Sequence, residues 1–176
     1  MTEDAMRLRG AVVRGAIQAV EDDGQAQTVS AETHEGALRT GVEVLQTFGL
    51  ASRPPAGPGA VALLLAVGGD QGDLVALPPT CPSVRFGRLE PGEAVIYDAD
   101  GNRVHLRAGG IVEVHAATRI RLVAPEVEVV AETMTLTGDL VVAGQVSDAN
   151  GSMQEIRDRY NSHGHPGGPP PTPQMT

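Results

Sequence analysis

The chain alternates apolar and polar residues in short runs broken by Gly, Pro, Asp and Asn. Strict alternation puts every second side chain on one face, the mark of half-buried strands. Residues 9–20 predict a first strand with Val13, Gly15, Ile17 and Ala19 on one side. Residues 21–24 form a turn and residues 25–32 a second strand. After His34, Glu35 and Gly36 comes a third, in which Val42 and Val44 alternate with Glu43 and Leu45. A Pro/Gly loop covers residues 51–59. Residues 60–67 are apolar without a break and predict a buried strand. The glycine-rich stretch 68–73 lacks the lysine of a phosphate loop and reads as a hairpin turn before a last strand at 74–77. Five short strands at this spacing predict a small closed barrel of the oligonucleotide/oligosaccharide-binding (OB) type, spanning residues 1–80. Pro78, Pro79 and Pro82 mark a linker.

The next segment, residues 81–146, has a different rhythm. Strands are expected around Ala94–Tyr97, Val104–Leu106 and Ile111–Val114. A turn separates the first two at Asp98, Asp100 and Asn102, and another follows at Gly109 and Gly110. From Arg119 the pattern repeats every seven residues: RIRLVAP, EVEVVAE, TMTLTGD and LVVAGQV. Position two holds Ile120, Val127, Met134 and Val141, and position four holds Leu122, Val129, Leu136 and Ala143. A coiled coil would space its apolar residues by three and four. Here the spacing is two, the other positions include several Val and Thr, and Pro125 and Gly138 would break a long helix. Each block is therefore one short strand with a two-residue apolar stripe. One chain would make a very thin solenoid of such stripes, so three chains wound about a common axis are expected, a trimeric β-helix. The fold class expected is all-β: the barrel, then an intertwined trimeric shaft, then a tip at residues 147–176. In that tip Ser152 and Glu155 predict a capping box on a helix from about Met153 to Tyr160. The proline-rich end is expected to be extended or disordered.

Composition agrees with strands. There are four aromatic residues against 41% apolar residues, so a narrow interior must be filled by Val, Ala, Leu and Ile. The net charge is −9, and three copies at −9 each would carry −27. That surface repels nucleic acid, and the barrel region holds a single aromatic, Phe48, where single-strand binders need stacking platforms and a basic groove. The lone Cys81 makes no intrachain disulfide, no stretch is long enough for a membrane-spanning helix, and residues 1–10 have no apolar signal core.

The candidate chemistry is at the C-terminal end. His163 and His165 stand two residues apart, which on spacing alone fits either a solvated tail or a ligand pair. If three chains met there, six imidazoles would form an octahedral shell, better suited to iron or nickel than to four-coordinate zinc. His34, His105 and His115 have no partner at ligand spacing and are expected at the surface. Asp98, Asp100 and Asn102 alternate like calcium ligands, but without the glycine and acidic positions of an EF-hand loop they read as a turn. Asp148 and Asn150 read as a turn too, with a second cation near the tip as the alternative. No carboxylate pair has the sequence setting of a glycosidase cleft. The seven-residue period also differs from the six-residue repeat of β-helical acyltransferases. No enzymatic activity is expected.

Residues 41–73, residues 91–110 and the ending MQEIRDRYNSHGHPGG (153–168) resemble the Mu-type central spike family, also called phage baseplate assembly protein V. The resemblance runs along nearly the whole chain. It implies a homotrimer of the virion tail tip, seated on tail hub and baseplate proteins at the end of the tail tube. It implies transient contact with the host outer membrane, which the spike pierces during infection. It also implies one iron ion per trimer, held octahedrally by His163 and His165 of three chains. Gly164 departs from the bulkier residue often found between those histidines in the family. A trimeric tail fibre or adhesin is the alternative; such a fibre ends in a receptor-binding knob rather than a short metal-ligand motif.

Overall fold

The computed structural model describes residues 11–55, 59–169 and 171–175. Residues 9 and 10 of the first expected strand, and part of the Pro/Gly loop, lie outside the described residues. The chain divides into two compact units, Met1–Leu122 and Val123–Thr176.

The first unit opens with a closed five-stranded barrel. Its strands are β1 (Val12–Glu21), β2 (Thr28–Glu32), β3 (Leu38–Val44), β4 (Val61–Ala66) and β5 (Leu74–Ala76). They close in the order β1-β2-β3-β5-β4, with β3 and β5 the parallel pair. The interior holds no aromatic ring. Ile17, Val29 and Leu64 are its largest fully buried side chains, with Ala31, Ala62 and Ala76 filling between them. Burying each large aliphatic side chain stabilises the fold by about 1.5–3 kcal/mol. Gln27, the buried polar residue beside this core, donates through Nε2 to the Ser52 carbonyl at 3.1 Å.

Two expectations about the barrel need correction. Ala19 is exposed and Val20 is buried, because the β1–β2 register shifts between Ile17 and Ala19. A bulge adds one residue, and one residue reverses which side chains face inward. The apolar run at 60–67 is not buried on both faces: Ala62 and Leu64 are buried, while Leu63 stands on the outer surface.

A second sheet follows in the same unit, built from β6 (Ala94–Tyr97), β7 (Arg103–Arg107) and β8 (Ile111–His115) in antiparallel order. The β6–β7 turn is held by Asp98, whose Oδ1 accepts the N–H groups of Asp100 and Asn102, both at 2.9 Å. Asn102 Nδ2 donates to the other carboxylate oxygen at 2.6 Å. This side-chain bond, then the desolvation-opposed backbone bonds, leaves the Asp98 pKa below the usual carboxylate value.

In the second unit, β9 (Ser147–Asp148) and β10 (Gly151–Ser152) form a minimal hairpin that runs into α1 (Met153–Ser162). The capping box is present in full. The proline-rich end does not remain extended. His165 accepts a bond from Gly168 N–H at 3.0 Å, closing a turn, and Met175 returns to Asn161.

Candidate functional site

Three features stand out, and each is built from strand geometry or helix capping. The first is the sheet β6–β8. Register places Ile96, Val104 and Val114 in one row and Ala94, Leu106 and Val112 in the next. Side chains two apart share a face, so these six form one apolar face, and every one of them is exposed. Ile96 is 67% and Val112 62% exposed.

The opposite face is covered around His105. His105 is buried, at 8% exposed, which corrects the expectation of a surface histidine. It stands on the face away from Val104, and the segment around Phe86 lies over it, with the Phe86 ring edge-on at 5.3 Å. Arg103 lies 5.6 Å from the centre of the same ring. His105 Nε2 is 3.3 Å from Glu93 Oε2. Glu93 also accepts the N–H groups of Ala108 and Glu90, both at 3.1 Å. The Ala108 bond, then the Glu90 bond, holds the Glu93 carboxyl below its usual value, with His105 adding to the effect. Sequence spacing gave no hint of this cluster, because Glu93 lies just before β6, His105 in β7 and Phe86 in a loop.

The second feature is the heptad segment. Among the described residues, 118–145 make no hydrogen bond within the chain and form no strand ladder. Their apolar side chains are exposed: Leu122, Val129 and Leu136 stand at 73%, 63% and 52%.

The third feature is the end of α1. His163 is the C-cap, its N–H bonded to the Arg159 carbonyl at 3.0 Å. His163 Nδ1 lies against the Tyr160 carbonyl oxygen in a short contact. A carbonyl only accepts, so Nδ1 is the donor in this contact, and in a neutral ring Nε2 would be the acceptor. The His163 and His165 rings lie 5.1 Å apart, nearly perpendicular. Both side chains are exposed. Iron, the metal the family resemblance implies, fits this donor set: two adjacent imidazoles, one with its inner nitrogen against a backbone carbonyl, which would leave the outer nitrogen to ligate. Among the described residues no three His, Cys, Asp or Glu side chains gather at one point in the chain. Asp148, read as a turn or second cation site, accepts the Asn150 N–H at 2.8 Å.

Residues 14–82, which contain almost the whole barrel, match the family described as Bacteriophage Mu Gp45, N-terminal. Over those residues the chain is similar to the Mu gp45 family. It is similar to the baseplate puncturing device gp45 of Escherichia phage Mu, 29% identical over 143 residues, covering 77% of this chain and 68% of that protein. It is also similar to the Mu-like prophage FluMu protein gp45 of Haemophilus influenzae, 30% identical over 99 residues, covering 56% of this chain and 53% of that protein. The matched family region ends at Pro82, just before the exposed apolar sheet, the heptads and the histidine pair.

The bond pair between Asn161 and Met175 was not legible from the sequence. Asn161 Nδ2 donates to the Met175 carbonyl at 2.9 Å, and Met175 N–H donates to Asn161 Oδ1 at 2.8 Å. A side-chain amide can imitate a strand partner in this way, but nothing in residue spacing points to it.

Proposed function

We infer that this chain is a structural component of a phage baseplate: the spike that punctures the host membrane, working as a homotrimer at the end of the tail tube. Residues 1–80 form the barrel base, residues 81–146 the shaft and residues 147–176 the tip. The name of the phage Mu relative, a baseplate puncturing device, supports the function. The observation that supports the trimer is the heptad segment. Peptide groups need hydrogen-bond partners once out of water, and apolar side chains gain from leaving it. Among the described residues, 118–145 make no hydrogen bond within their own chain and leave their side chains largely exposed, although two positions of each block are apolar. Three copies wound together supply both: ladder bonds between chains and a central stripe from positions two and four. The exposed face of Ile96, Val104 and Val114 finds its cover in the same way.

The mechanism is mechanical. Tail contraction drives the shaft point-first into the outer membrane, and the protein contributes stiffness and a sharp end. When bound, iron supplies a structural cross-link at the tip. His163 and His165 of the three chains would hold it, and the contact of His163 Nδ1 with the Tyr160 carbonyl would leave Nε2 as the ligating atom. No catalytic step is required. Sedimentation equilibrium is expected to give three times 18.2 kDa at micromolar concentration. A monomer would overturn the trimer, and cleavage of peptidoglycan or lipid with turnover would overturn the mechanical reading.

A further inference from the structure

The charge on the heptad segment is uneven. Residues 119–132 carry Arg119, Arg121, Glu126, Glu128 and Glu132, whereas residues 133–146 carry only Asp139. The change falls on particular positions. With positions two and four turned to the axis, positions one and three lie on the opposite face of each strand. Down the four blocks that face reads Arg119 and Arg121, Glu126 and Glu128, Thr133 and Thr135, then Leu140 and Val142. Leu140 is 68% and Val142 44% exposed. A slip of one residue would not hide the change, because Leu140-Val141-Val142-Ala143 is apolar on both faces. A strand in that condition normally has apolar matter on each side.

We propose that Leu140 and Val142 of the three chains form an apolar collar above the tip that contacts the acyl chains of a lipid bilayer. This rests on the trimeric spike reading. Two observations favour lipid over protein as the occupant. The outward face passes from charge through threonine to aliphatic carbon toward the tip, the order a bilayer presents from headgroup to hydrocarbon. The chain's own C-terminal end is meanwhile engaged elsewhere, with Met175 bonded to Asn161. Leu140 and Val142 share one strand, so the collar is a single course about 4.7–4.9 Å tall, roughly a third of one leaflet of a hydrocarbon core about 30 Å thick. The collar therefore eases entry into a leaflet and is too short to span. Asp139, at the corner after Gly138, is the charge that must stay at the collar's edge.

The chain has no tryptophan, so a single one reports its own surroundings. Leu140→Trp and Val142→Trp trimers, checked by sedimentation, are freeze–thawed with phosphatidylcholine vesicles and compared with Glu126→Trp. At positions 140 and 142 the emission should be that of exposed indole in buffer. It should shift to the blue with vesicles and be quenched by phosphatidylcholine brominated on its acyl chains. Glu126→Trp should keep its aqueous emission. Emission already blue without vesicles would mean that protein covers the site, and emission unchanged by vesicles would mean that lipid does not; either overturns the collar. Flotation of the unmodified protein with the same vesicles gives a second readout, and Leu140→Thr with Val142→Thr should reduce it while leaving the trimer intact. Equal flotation of the two proteins, or loss of the trimer in the double variant, also overturns the collar. A monomeric unmodified protein would instead overturn the spike reading beneath it.

Discussion

Ser152 and Glu155 cap α1 reciprocally: Glu155 N–H donates to Ser152 Oγ at 3.2 Å, and Ser152 N–H donates to Glu155 Oε2 at 2.7 Å. A helix of ten residues with no buried side chain depends heavily on such ends. The backbone bond from Ser152, then its hydroxyl, lowers the Glu155 pKa below the usual 4.5. A depressed carboxylate stabilises the fold above its unfolded value, and that contribution is lost as pH falls through the lower folded value. Hydrogen exchange across Met153–Ser162, corrected for intrinsic rate, should therefore lose protection as pH falls below about 4.5, and Glu155→Gln should flatten the dependence. Ser152→Ala should cost about 1 kcal/mol of local stability at neutral pH.

Gly15 faces the barrel interior on β1. A Cβ there would fall 2.8 Å from the Ala31 Cβ and 3.0 Å from Leu64 Cδ1. Glycine ordinarily weakens a strand, yet here any side chain must displace two core atoms. Gly15→Val should destabilise the barrel by about 1–3 kcal/mol through overpacking. A lowered denaturation midpoint, with an unchanged dependence on denaturant, is the expected result.

What was legible in the sequence follows from which forces are local. The alternation around Val42 and Val44, the apolar pairs of β6–β8 and the Ser152–Glu155 spacing are set by neighbours along the chain, and each element lies where the pattern puts it. The parity reversal at Ala19 was hidden, because a bulge is a property of two paired strands and appears in neither alone. The outward Leu63 was misread because an unbroken apolar run does not say which face meets solvent. His105 was misplaced because burial on one face of a sheet depends on what crosses over it, here Phe86. At the tip the histidine pair was plain from spacing. The bond that fixes one ring to Tyr160 and the return of Met175 depend on how α1 ends.

Val129 occupies position four of the second block and is 63% exposed in the single chain. In the proposed trimer three copies meet on the axis. Val129→Asp would bring three carboxylates together in an apolar interior, where an unpaired ion costs several kcal/mol. Sedimentation of that variant should give monomer, and hydrogen exchange should leave the barrel core around Leu64 protected, since the barrel closes within one chain.

The histidine pair gives the most direct test of the tip. The two rings of one chain stand 5.1 Å apart, near enough to serve one ion, and no further ligand-type side chain gathers beside them among the described residues. If three chains converge, six nitrogens complete an octahedron with no open position, and the ion acts as a cross-link where Gly164, Gly167 and Gly168 provide little packing. His163→Ala with His165→Ala should remove the metal and loosen hydrogen exchange around residues 161–168. It should leave the sedimentation of the trimer unchanged, because the heptad stripes lie upstream. Only the unprotonated ring ligates, so acid should release the ion from the unmodified protein. Elemental analysis of both proteins decides the matter: one iron per three chains in the first and none in the second is the expected result, and equal contents, or no iron in either, would remove the metal from the tip.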